Sequence, residues 1–131
     1  MPVEVVWDNQ EQTILRQVYS GILTMQDYIH ATDEFERMAK TQPHTVHSIM
    51  DRSEVVSTPA VVLPALRYAN SHVPPNMGLR VIVNAGVITR FVVDIGRRVA
   101  PKLIQKIYFT RTLDEARAVI RQYMATSGNR T

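Results

Sequence analysis

Leu79-Arg80-Val81-Ile82-Val83 is the stretch that decides the fold. It is nearly apolar throughout and bounded by turn formers, Pro74-Pro75-Asn76 before it and Asn84-Ala85-Gly86 after it. A run of that kind, without polar alternation, reads as a central strand covered on both faces. Such strands occur where helices lie on a sheet, so helical patterns are expected around it.

Working toward the N-terminus, Thr58-Pro59 reads as a helix start with proline in the first turn, and Ala65, Leu66 and Ala69 supply apolar surface. Pro64 either moves that start closer to Val62 or bends the helix. Thr45 to Met50 is a strand ending at Asp51. Before it, Thr24 with Asp27 three residues on marks another helix start. Met25, Tyr28, Ile29, Thr32, Phe35, Met38 and Ala39 follow at three- and four-residue spacing, until Gln42-Pro43 stops the run. Val3–Trp7 and Thr13–Tyr19 are strands joined by the polar turn Asp8–Gln12, and Gly21 closes the second.

Toward the C-terminus, Thr89 is the expected cap of a helix whose inward stripe is Phe91, Val92, Ile95 and Val99, ended or bent by Pro101. Lys106–Thr110 is a fifth strand. Thr112 and Glu115 form a capping box for a last helix with Ala116, Val119, Ile120 and Tyr123 inward. Residues 1–125 then form one domain, followed by a polar tail from Thr126. The fold class is α/β, in the order β-β-α-β-α-β-α-β-α. Right-handed crossovers make the later strands parallel neighbours, and the opening hairpin adds antiparallel pairing at one side. The result is a mixed five-stranded sheet with four helices, mainly on one face.

The 131 residues include no cysteine, which excludes disulfides, thiolate metal sites and thiol nucleophiles. The first residues, Met-Pro-Val-Glu-Val-Val, lack the basic start and apolar core of a signal peptide. No run approaches the roughly 20 apolar residues of a membrane span, so the expected location is cytoplasmic. The net charge of +3 conceals a polarity, because residues 1–79 sum to −4 and residues 80–131 to +7. A basic face can steer an acidic partner or an anionic surface, or it can be an ordinary solvated surface. Aromatics are only 7% and are not interleaved with the basic residues, so nucleic-acid binding is not expected.

Three stretches carry a family likeness. Tyr19-Ser20-Gly21-Ile22-Leu23-Thr24 ends the second strand and opens the first helix; Ile49-Met50-Asp51-Arg52-Ser53-Glu54-Val55 leaves the third strand. Ile107-Tyr108-Phe109-Thr110-Arg111-Thr112-Leu113-Asp114-Glu115-Ala116 is the closing strand and helix start. Together with the element order they resemble STAS domains, the fold of anti-sigma-factor antagonists, and the related SpoIIAA-like and SEC14-type lipid-binding group. The resemblance implies a non-enzymatic regulatory or protein-interaction module. Switching members carry a phosphorylatable serine in a D-S-S-G motif at the second helix. An ungapped match places Ala60 at that serine, with Ser57 and Thr58 as nearby hydroxyls that also suit a helix cap.

In parallel sheets, ligands gather at the carboxyl ends of strands. On this reading Asp51, Arg52, Ser53, Ser57 and Thr58 leave one strand, and Asn84, Gly86, Thr89 and Arg90 leave its neighbour, forming one polar edge. That edge is the candidate site for a protein partner, a second copy of the chain, or an anionic ligand; turn and cap residues of ordinary kind would give the same pattern. The alternative function is a small-ligand or lipid carrier, with the helices over 59–73 and 91–99 moving apart to admit an apolar or anionic molecule. No metal site is expected, because His44 and His47 fall on opposite faces of a strand. No nucleotide-loop glycine pattern, nucleophile elbow or cofactor motif is present, so no cofactor and no catalytic residue is assigned.

Overall fold

A computed structural model describes residues 3–57, 62–98, 101 and 106–127. The strands are β1 (Val3–Trp7), β2 (Ile14–Ile22), β3 (Val46–Ser57), β4 (Met77–Val83) and β5 (Ile107–Thr110). The helices are α1 (Met25–Ala39), α2 (Val62–Asn70), α3 (Val87–Ile95, running into a 3-10 turn at Gly96–Arg98) and α4 (Leu113–Ser127). The expected α/β class, with a mixed five-stranded sheet and four helices, is what the described residues form.

Strand order across the sheet is the same as order along the chain, with β1 antiparallel to β2 and the other pairs parallel. Each parallel crossover therefore steps one strand in the same direction. Right-handed crossovers then put α1, α2 and α3 on one face. Phe35, Ala39, Leu66, Ala69 and Val93 from those helices pack on Leu15, Val46 and Ile82. On the opposite face, Ala116 and Ile120 of α4 pack on Ile14, Ile49, Leu79, Val81 and Val83. Every residue of β4 is buried, as a strand between two helical layers requires.

Local chemistry sets the helix starts. Thr24 accepts from the backbone N–H of Asp27, and the Asp27 carboxylate accepts from the backbone N–H of Thr24 at 2.8 Å. Glu115 and Thr112 do the same for α4. Pro64 falls in the first turn of α2, where its missing N–H has no ladder partner to lose. Thr58 and Pro59 lie outside the described residues.

Several boundaries differ from the sequence reading. β2 continues past Gly21 because that glycine takes a φ of 73°, and the pairing with β3 shifts register there. β3 runs to Ser57 rather than ending at Asp51, since the extended β2 continues to pair with it. α3 starts at Val87, so Thr89 is inside the helix and does not cap it. Two residues of the expected inward stripe of α3 face out, Phe91 and Ile95 at 63% and 52% exposed, while Val93 is buried; Val99 lies outside the described residues. Periodicity identifies an apolar stripe, but one tertiary contact decides which stripe meets the sheet. At the C-terminus, α4 extends to Ser127, into the expected tail. Among the described residues, no helix is long and apolar enough to cross a membrane.

Candidate functional site

The longer β3 redistributes the predicted polar edge. Asp51, Arg52 and Ser53 are consecutive strand residues, so Arg52 points to the opposite face from its two neighbours. Asp51 accepts from the backbone N–H of Ser53 at 3.0 Å, and Ser53 is exposed. Ser57 is the last residue of β3, and Thr58 lies outside the described residues. Asn84 and Gly86 are exposed in the turn after β4, with Asn84 at a φ of 56°. Thr89 is in α3, and the exposed Arg90 lies 4.8 Å above the ring of Phe109. Arg52 turns into the protein, where it is 6% exposed.

What Arg52 reaches is a cavity of about 50 Å³ between the sheet and its three-helix roof. Its polar wall is Gln17 and Tyr19 from β2, Tyr28 and Thr32 from α1, Arg52 from β3 and Arg80 from β4. Its apolar wall includes Met50, Ala65, Leu66, Ile82 and Val93. Strand alternation explains the convergence: Gln17 and Tyr19, Met50 and Arg52, Arg80 and Ile82 are pairs two residues apart, so each pair shares the roofed face.

The polar groups differ in how well they are satisfied. Gln17 donates to the carbonyl of Ala31 at 3.0 Å and accepts from the Ser48 hydroxyl at 3.2 Å, so its amide is structural. Arg52 donates through Nη1 to the Tyr28 hydroxyl at 2.7 Å and lies against the rings of Tyr19 and Tyr28. Arg80 is 3% exposed and rests on the face of Phe35, its Cζ 4.7 Å from the ring centroid. Its hydrogen-bond acceptors among the described residues are sulfurs: Met77 Sδ at 3.2 Å from Nε and Met50 Sδ at 3.8 Å from Nη1. Thioethers are weak acceptors and carry no charge. None of the ion pairs among the described residues involves Arg80.

The consequence is electrostatic. Burial lowers the pKa of Arg80 to about 10, with neighbouring Tyr19 opposing the shift, so the guanidinium stays charged at neutral pH. Burial, and then the neighbouring Tyr28, push the Tyr19 hydroxyl far up, so it stays protonated. A buried charge costs several kcal/mol unless something offsets it. A desolvated contact with an aromatic face, such as the one Phe35 provides, offsets roughly 2 kcal/mol of that. The chamber is thus cationic, lined by guanidinium, hydroxyl and amide groups with no carboxylate among its described lining residues.

Net charge along the sequence does not point to this chamber. Arg80 sits inside an apolar strand and Arg52 within a string of turn formers. The available signal was a charged residue inside a strand buried on both faces, a position that charged side chains rarely occupy unpaired.

At the opposite end of the sheet, His47 is buried, and its Nδ1 accepts from the backbone N–H of Leu79 at 3.0 Å. Burial and the nearby Lys106 lower its pKa to about 4, so the ring is neutral. Its partner in the sequence reading, His44, contacts the carbonyl of Gln12. Among the described residues, no group of three His, Cys, Asp or Glu side chains is placed to hold a metal. Comparison of the chain with models of known protein families gave no match, and comparison with curated proteins gave none.

Proposed function

We propose that this chain is a non-enzymatic, cytoplasmic binding module of STAS-like fold that holds a small ligand beneath α1, α2 and α3. The observation that carries this reading is Arg80, a buried cation with no carboxylate partner among the described residues, lining a cavity beneath the helices. The carrier alternative foreseen from the sequence is therefore preferred over a module acting only through its surface. The element order and the sequential strand order support the STAS-like assignment. Groups that stay protonated at neutral pH, an arginine and a buried tyrosine, suit holding a charge rather than moving a proton.

Native mass spectrometry of protein gently purified from its host tests the reading. A bound small molecule that is released on denaturation supports it. A bare protein mass, together with no thermal stabilisation by a panel of small metabolites, counts against it.

A second reading, docking of a regulatory protein partner, draws on a different observation. Ile22 and Val56 are 70% and 75% exposed at the ends of adjoining strands β2 and β3. Replacing both with serine abolishes partner capture on this reading and leaves the chamber intact. If recovery of the partner is unchanged, the surface is wrong.

A further inference from the structure

The chemistry of the chamber walls narrows the ligand class, taking as given the small-ligand reading above. The charged group with hydrogen-bonding capacity to spare there is the Arg80 guanidinium, which can only donate, and the hydroxyls beside it can donate as well. The two sulfurs engage Nε and Nη1 of Arg80, leaving its other guanidinium N–H groups without an acceptor among the described residues. The Tyr28 hydroxyl already accepts from Arg52, so its own proton is free to be given away. The Tyr19 hydroxyl, in a side chain 1% exposed, borders the cavity and can donate its proton into it. A molecule that meets these groups must bring acceptors and negative charge.

Size and the remaining wall narrow the choice further. A cavity of about 50 Å³ holds only a few water-sized groups. A phosphate would present oxygens in every direction, including toward Leu66, Ile82 and Val93, where they find no donor. A carboxylate separates its demands, with oxygens on one side and an aliphatic body on the other. It also matches the planar fork of an arginine held flat against a ring.

We propose that the chamber binds a short-chain aliphatic carboxylate, its oxygens taken by Arg80, Tyr19 and Tyr28 and its carbons against Leu66, Ile82 and Val93. Binding neutralises the buried guanidinium and replaces weak sulfur contacts with charge-assisted hydrogen bonds. Arg52 contributes positive potential and holds the Tyr28 hydroxyl in the acceptor role that turns its proton away from the guanidinium.

The test is a ¹H–¹⁵N titration of the intact chain, cleared of any co-purifying molecule, with butyrate, its neutral isostere butyramide, and inorganic phosphate. Variants Arg80→Met and Tyr19→Phe are titrated in parallel, and a native mass spectrum is taken of the protein before clearing. The expected result is saturable shifts with butyrate, binding of butyramide weaker by about tenfold or more, and no binding of phosphate. Arg80→Met abolishes butyrate binding, and Tyr19→Phe weakens it by about three- to tenfold while keeping the fold. Equal binding of butyrate and butyramide overturns the anion assignment but leaves a binding chamber. Tighter binding of phosphate overturns the carboxylate assignment alone. A molecule in the native spectrum with no response to any probe also sinks the carboxylate assignment and spares the binding reading. A bare native mass with no response to any probe removes both.

Discussion

The guanidinium of Arg80 lies on the ring of Phe35, with Cζ 4.7 Å from the centroid, at a place where the strand around it is otherwise core. This pair joins β4 to α1 across the chamber, and its energetics can be separated. Arg80→Met removes a buried charge without leaving a large void. The expected outcome in urea unfolding is a gain in stability on the order of 1–4 kcal/mol. Phe35→Leu loses about 1–3 kcal/mol, and the double-mutant cycle gives a coupling of roughly 0.5–2 kcal/mol. A destabilised Arg80→Met would show that the guanidinium is a structural necessity.

Gly78 is the position on β4 least able to accept a side chain. A Cβ there would overlap the buried His47 ring and come within 2.8 Å of Thr45 Cγ2. The ring cannot move away without giving up its hydrogen bond from the Leu79 N–H. Gly78→Ala should therefore cost roughly 2–4 kcal/mol, read from the urea midpoint. Recovery of most of that loss in Gly78→Ala/His47→Ala would identify the ring as the obstacle.

His47 also makes stability depend on pH. Its folded pKa of about 4 lies below the ordinary 6.5, because burial and Lys106 disfavour the charged ring. Between these values the unfolded chain binds the proton that the folded chain refuses. Stability from this group is complete above pH 6.5 and falls as pH drops toward 4, by on the order of 3 kcal/mol at full effect. Urea unfolding at several pH values across that window should show the slope, and His47→Gln should flatten it. An unchanged slope in the variant would assign the effect to other groups.

Asp8 ties the β1–β2 turn to α4. Its carboxylate, 3% exposed, accepts from Arg117 at 2.8 and 2.9 Å and from Arg16 at 3.0 Å. Burial would raise its pKa, but the two guanidiniums outweigh burial and lower it. Its contribution is present above the ordinary carboxylate pKa and is lost as pH falls through the lowered value. Asp8→Asn should cost roughly 1–3 kcal/mol at pH 7, since both arginines can rehydrate. The loss should shrink in acid, as measured by thermal unfolding at pH 7 and at about pH 3.

Features set by neighbours along the chain are legible in the sequence itself. Thr24 with Asp27 and Thr112 with Glu115 announce their helices because a cap is complete within four residues. The parallel neighbours follow from right-handed crossovers between successive strands. Features set by distant neighbours are not legible in that way. Asp51-Arg52-Ser53 has turn composition, and it stays extended because β2, bulged at Gly21, continues beside it. The inward side of α3 depends on where Val93 lands. The chamber joins side chains from β2, α1, β3 and β4 separated by many residues, and no local spacing announces such a meeting. The edge predicted from loops holds one of the chamber residues, Arg52, for a reason the loop reading did not contain.

Alternation along β4 keeps two tasks apart within one strand. Leu79, Val81 and Val83 belong to the packing beneath α4, whereas Arg80 and Ile82 face the roofed side. Changes at positions 80 and 82 alter the roofed side while the other layer continues to hold the sheet. On the proposed carboxylate reading, a lineage exchanges one ligand for another, or sheds binding altogether, through a single codon. Arg80 then makes specificity separable from foldability, and the same strand offers an engineer a place to install new selectivity.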